Sequence, residues 1–191
     1  MNLIDISHVI NKNTPVYPGD ICVQLDEYKH GNCIINNLTT CMHAGTHIDM
    51  PKHMIASDKT AADYPIGNFI GEGILFDINN IDAVKESSVV IIHTGFDKYY
   101  HEPKYFTDYP AISLDLAEFF VSKKIKMLAL DTPSPDYYPF PVHKLLLAND
   151  IFILENVTNL EKLHGIPKFE VIALPLKIEA EASLVRAVCR L

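Results

Sequence analysis

Between residues 89 and 155 three short apolar runs, VVIIH at 89–93, KMLALD at 126–131 and IFILE at 151–155, alternate with two helical patterns, at about Leu114–Lys123 and Val142–Ala148. That alternation is the signature of βαβ units around a parallel core, and it limits the possible folds more than any other feature of the chain. Ser113 is a fitting N-cap, with Asp115 and Glu118 in the first turn, while Pro141 starts the second helix and Asn149 can stop it. The N-terminal third reads differently. LIDIS, then ICVQLDEY with Ile21, Val23 and Leu25 alternating, then CIINNLTTCMHAG, punctuated by Gly, Asn and Pro, predict short antiparallel strands. GEGILFDI, FEVIALPL and ASLVRAV add further strands, so the expectation is an α/β chain with a mixed β-sheet core. No repeat, low-complexity tract or linker interrupts it. At 191 residues and 48% hydrophobic content a single domain, 1–191, burying about 70% of its unfolded surface is the economical reading.

The chemistry concentrates in HAGTHIDMPKH at residues 43–53, which places His43, His47, Asp49 and His53 within eleven positions. Polar odd positions alternate with mostly apolar even ones, Leu38, Met42, Ala44, Ile48 and Met50, and period two is a strand signal. Such a strand buries its even face and turns His43, His47 and Asp49 toward one cavity. A helix would instead pair the two histidines at i, i+4, but Gly45, the β-branched Thr46 and Ile48, and Pro51 argue against it. Pro51 ends the regular strand and leaves His53 on the following loop. Imidazole nitrogen and carboxylate oxygen suit zinc, manganese and iron alike, so these residue types point to a divalent metal without choosing it. For each histidine alone, a surface or hydrogen-bonded role is the plainer reading; the cluster on one apolar strand face favours ligation.

These residues carry a resemblance. HAGTHIDMPKH resembles the metal-binding signature of the cyclase-like family of metal-dependent hydrolases, whose known members include bacterial kynurenine formamidases and enzymes that open the ring of isatin. IDISHVINKNTPVYPGD is similar to the family's N-terminal segment, DTPSPD at 131–136 to one of its loops, and ASLVRAV at 182–188 to its final strand. His143 and Glu155, twelve residues apart, match the spacing of its remaining ligands. A helix and the strand after it run in opposite directions, so the helix start with His143 and the strand end with Glu155 fall at one edge of the sheet. Ligands gather beyond such strand ends, where His93 and Asp131 also project. His93 reads as cavity lining or as a strand-end histidine bonded to backbone, and both His93 and Asp131 stay outside the ligand set.

The resemblance implies a swivelling β/β/α fold and a role for each residue. His43, His47 and Asp49 would hold a first metal; Asp49 and Glu155 would reach a second, held also by His143; and His53 would carry protons. Zinc is the first expectation and manganese the alternative, at one or two ions per subunit. Such an ion lowers the pKa of a bound water to about 7 and polarises a carbonyl. The implied reaction is amide hydrolysis of a small molecule, with N-formylkynurenine of tryptophan catabolism as the family substrate and a homodimer as the family assembly. Tyr17 stands where kynurenine formamidases commonly carry tryptophan, and the chain contains no Trp, so stacking area against an aromatic substrate is reduced. Three functional expectations follow: an aryl-formamide hydrolase, a hydrolase of cyclic amides, esters or lactones by the same mechanism, and a binding protein that keeps the fold without turnover.

Charge narrows the partners. Lys plus Arg total 16 against 24 Asp plus Glu, a net charge of −8 without a basic stripe, which argues against nucleic acid. The longest apolar runs are far shorter than a membrane span, and MNLIDISHV lacks a basic leader segment, so no membrane partner and a cytoplasmic location are expected. Cys22, Cys33, Cys41 and Cys189 form no CxxC pair and read as buried, reduced thiols; a thiolate ligand or nucleophile is the alternative. Ser7 and His8 read as packing residues. His30, His101 and His164 read as solvated. The aromatic group Phe96, Tyr99, Tyr100, Tyr105 and Phe106 would cover a pocket, a subunit contact or only its own loop.

Overall fold

The structure is a computed structural model that describes residues 2–191. Among these, β1 (Leu3–Asp5), β4 (His47–Asp49), β5 (Ile70–Leu75), β6 (Val89–Ile92), β7 (Met127–Leu130), β8 (Phe152–Glu155), β9 (Phe169–Pro175) and β10 (Ala182–Arg190) form one sheet, while β2 (Gln24–His30) and β3 (Cys33–Thr39) form a separate hairpin. The helices are α1 (Leu114–Ser122) and α2 (Pro141–Ala148). The large sheet runs β1-β10-β4-β8-β7-β6-β5-β9, and β9 also pairs with β10, so a closed barrel forms. β5 to β8 are mutually parallel, whereas β4, β9, β10 and β1 pair antiparallel, giving the mixed core that the chain pattern implies.

Why β6, β7 and the first three residues of β8 are apolar is clear from their two faces. Val89, Ile91, Met127, Ala129, Phe152 and Leu154 point into the barrel with Ile48, Val171, Ala173 and Ala187. The alternate residues Val90, Leu128, Leu130 and Ile153 point outward, under Ala117 and Phe120 of α1 and Val142, Leu146 and Leu147 of α2. Strands buried on both sides carry no polar alternation. The caps behave as expected: Ser113 accepts a bond from Leu116 N–H, and Pro141 and Asn149 bound α2.

Three expectations fail in the N-terminal third. The segment from Cys33 to Asp49 is not one strand: β3 ends at Thr39, and a turn separates it from β4, which keeps only three residues. Gly45 suits this turn. Its φ of +62° is left-handed, and a Cβ there would press on the Cδ1 methyl of Ile10, so glycine is favoured over larger residues. Nor does the alternation of Ile21, Val23 and Leu25 mark a core face. Val23 is buried, but Ile21, ahead of β2, is 61% exposed, and Leu25 is 42% exposed because β2 pairs with β3 and not with the barrel. For the same reason Cys22 and Cys33 are exposed free thiols, contrary to their expected burial. Cys41 is half-buried, and only Cys189 lies in the core, where burial pushes its thiol up to about 12. Among the described residues no helix is long and apolar enough to cross a membrane.

Candidate metal centre

Strand register assembles the first part of the site. Ile48 points into the barrel, so its neighbours His47 and Asp49 point out, and β4 pairs antiparallel with β8 so that His47 faces Glu155 directly. The helix over that face is α2, whose first turn carries His143. His143 Nε2 therefore lies 3.1 Å from Glu155 Oε1 and 3.7 Å from Asp49 Oδ2, as the shared sheet edge requires. His43 reaches the group from the turn before β4, with Nδ1 at 3.1 Å from Asp49 Oδ1. His47 Nε2 lies 3.4 Å from Asp49 Oδ1 and 3.2 Å from Glu155 Oε2. The three ligand candidates with no neighbour in sequence among the rest, His43, His143 and Glu155, thus meet the β4 pair around one point.

His53 sits in the 3₁₀ turn Pro51–His53, as Pro51 implies, with its ring 4.2 Å from that of His43 and 5.9 Å from that of His143. Two groups of three ligand atoms converge within 4.8 Å: His43, Asp49 and His53, and His47, Asp49 and Glu155. Asp49 belongs to both. Geometry alone therefore places His53 beside the donors, on the wall of a pocket also lined by Tyr17, Phe106, Phe140 and Ser134. Tyr17 packs edge-on against Phe106 with ring centres 5.9 Å apart and remains 37% exposed at the mouth.

Orienting groups fix the ligand lone pairs. His47 Nδ1–H donates to Gly45 O at 2.8 Å, which in the neutral ring leaves Nε2 free toward the carboxylates. His143 Nδ1–H donates to Asp136 Oδ1 at 2.6 Å, while Asp136 Oδ2 accepts from Val142 N–H at 2.6 Å and so caps α2. One carboxylate both starts the helix and aims its histidine, an arrangement common behind metal-bound imidazoles. Asn156 backs the other side: Nδ2–H donates to Gly45 O at 3.0 Å, and Oδ1 accepts from Tyr105 Oη at 2.9 Å. Glu181 adds a carboxylate 3.6 Å from His43 Nε2, delivered where Met50 N–H donates to Glu181 O beside the β4–β10 pairing. Sequence reasoning missed Asp136, Asn156 and Glu181. Asp136 lay inside the quoted DTPSPD loop and Asn156 directly after Glu155, but each acts through tertiary contacts that no local pattern announces. His93 and Asp131 stand outside this cluster.

Electrostatics show how strongly the site wants positive charge. Burial disfavours a charged His43, but Asp49, then Glu181 and Glu155, outweigh it and hold the imidazole up to about 11. Burial likewise opposes charge on His143, yet Asp136, Asp49 and Glu155 hold it well above the usual histidine range. Burial would raise Asp49, but His43, His47 and His143 keep it well below the usual carboxylate range. The imidazole of His43 beside it brings Glu181 down to about 2. His53 differs, because burial lowers it and the pull of Asp49 and Glu155 does not outweigh that loss.

The donor set fits a divalent metal. His47 Nε2 and both Asp49 oxygens are buried without a hydrogen-bond partner, because their close neighbours are misdirected for one. Leaving such atoms unsatisfied costs about 1–3 kcal/mol each, and more when charged. Their spacings of 3.1 to 3.7 Å are those of ligands sharing one ion with bonds of about 2.0–2.2 Å.

A closed mixed barrel with histidines and carboxylates converging on its outer face defines a class of protein, and comparison with known chains agrees. The Cyclase family model matches residues 4–137, and the chain belongs to that family. It is 30% identical to a kynurenine formamidase of Bacillus cereus, over 98% of this chain and 96% of that protein. An isatin hydrolase bound to the product analogue thioisatinate superposes with a TM-score of 0.86 at 23% identity, covering 99% of this chain and 92% of that one. A structure described as a potential metal-dependent hydrolase with cyclase activity superposes at 0.80 with 22% identity, covering 98% and 96%. At those identities the two structural likenesses speak to the fold.

Proposed function

We propose that the protein is a metal-dependent amidohydrolase acting on a small aryl formamide. The observation that carries this reading is the meeting of His43, His47, Asp49, His143 and Glu155 in one hollow that opens into an aromatic-lined pocket with His53 on its wall. The kynurenine formamidase of Bacillus cereus supports the formamide, and the fold neighbour described as a potential metal-dependent hydrolase supports metal dependence. A divalent ion held by the five residues would supply Lewis acidity, bringing a water near neutral pKa and polarising the carbonyl. His53 accepts the proton of the attacking water and returns it to the leaving nitrogen, so that the C–N bond breaks to give an acid and an amine. Tyr17 and Phe106 flank the aromatic ring of the substrate at the pocket mouth. Zinc is the proposed ion, with manganese as the alternative.

A second reading, hydrolysis of a cyclic amide by the same residues, is favoured by Tyr17, whose ring offers less stacking area than an indole. Assaying N-formylkynurenine beside isatin and simple lactones on metal-loaded protein separates the two, with the highest kcat/KM expected on the formamide. Full metal occupancy with no turnover across amides and esters would overturn both.

A homodimer belongs to the same proposal. Leu25, Tyr28, Ile34, Ile35 and Leu38 of the β2–β3 hairpin are 37–60% exposed, and a lone two-stranded hairpin is marginal in water. Sedimentation at micromolar concentration should give twice the chain mass of 21.5 kDa, shifting to the single-chain mass with L38D. A monomer in the unaltered protein would end this part.

A further inference from the structure

A second convergence of donors lies two strands away from the first and shares no residue with it. His93 follows β6, Asp131 follows β7, and Asp97 opens the turn Asp97–Tyr99; one ligand atom from each lies within 4.8 Å of the other two. Asp131 is fully buried. Its direction is set by Thr94 N–H, Thr94 Oγ1–H and Gly95 N–H, which donate to it at 2.6–3.0 Å. Asp97 accepts one side-chain bond, from Thr158 Oγ1 at 2.7 Å. Among the described residues no lysine or arginine pairs with either carboxylate. Two carboxylates this close repel unless a cation joins them.

His93 supplies a nitrogen for that cation. Its Nδ1 lies 2.8 Å from Nε2 of His164, and its Nε2 lies 3.9 Å from Asp131 Oδ2. With Nδ1–H donating to His164, the Nε2 lone pair is left on the side of the carboxylate. The 3.9 Å gap is too wide for a hydrogen bond, yet an ion bonded to both atoms at about 2.1 Å bridges it. A histidine whose second nitrogen is tied to a neighbouring acceptor is also the usual arrangement behind a metal-bound imidazole. We propose that His93, Asp97 and Asp131 form a separate binding site for a divalent transition metal, with His164 fixing the tautomer of His93. The site has a structural place in the fold. Tyr105 Oη, whose one proton is shared between Asn156 Oδ1 behind His47 at 2.9 Å and Asp131 O at 3.3 Å, links the two sites, so an ion here would brace the loop after β6 against the framework of the main cavity.

Zinc titration of the full-length, chelator-stripped protein tests this without reference to turnover. Elemental analysis after gel filtration should find one more zinc per chain in the unaltered protein than in D97N or H93Q. D49N should keep that additional equivalent while losing zinc from the main cavity. D97N removes only one side-chain hydrogen bond, so its fold can be verified by circular dichroism even where H93Q unfolds. Equal zinc content in D97N and the unaltered protein would overturn the proposal, the join between the two carboxylates then being a proton.

Discussion

Replacing His53 by glutamine should lower kcat by roughly 10²–10⁴-fold while leaving metal content and KM close to those of the unaltered protein. The expectation follows from position. His53 lies beyond Pro51, which ends β4, so its backbone is independent of the strand that carries His47 and Asp49. It lines the same pocket wall as Tyr17 and Phe106, facing the space a substrate fills. Glutamine preserves size and a hydrogen-bonding end but cannot cycle a proton at neutral pH. The competing role is real, because His53 also forms a ligand group with His43 and Asp49. Elemental analysis of H53Q beside its kinetics decides: a fall in bound metal that parallels the fall in rate would make His53 a ligand and remove it as the proton carrier.

The second large effect is on metal affinity, and Asp49 should dominate it. Asp49 contributes to both convergent groups, is fully buried and has two oxygens without hydrogen-bond partners, so D49N removes the charge on which both groups depend. Chelator competition should show a loss well beyond the roughly 10–100-fold typical of an orienting residue, with hydrolysis falling alongside it. Asp136 provides the internal calibration. It touches His143 Nδ1 and not the ligand cluster itself, so D136N should fall within that 10–100-fold range and recover when metal is raised. Activity that survives complete chelation, or D49N binding metal as tightly as the unaltered protein, would dismiss the proposed chemistry.

Much of this architecture is legible in the residues because local and tertiary demands coincide there. VVII, MLAL and IFIL are apolar since both their faces are covered, and Ser113, Pro141 and Asn149 do at the helix ends what their chemistry favours. HIDMP keeps period two through β4, which is why the outward direction of His47 and Asp49 was readable. Legibility ends where contacts become nonlocal. Barrel closure rests on β10 pairing β4 with its first residues and β9 with its later ones, a division that strand propensity does not encode. Leu25 lies on a hairpin that stands off the barrel and Ile21 precedes it, so hydrophobic alternation misplaced both. In the sequence Gly45 reads as a helix breaker, whereas its larger effect is the turn that brings His43 back over β4.

Odd and even residues of β4 and β8 divide two tasks between them. Ile48 and Leu154 fill the barrel, while His47, Asp49 and Glu155 stand on its outside. Volume-conserving changes among the inward side chains can therefore accumulate across relatives without touching a reactive atom, provided the pleat is kept. A one-residue slip in either strand would exchange the tasks, seating charge in the oil-like interior and grease at the reactive centre. The scaffold tolerates drift in composition and forbids drift in register.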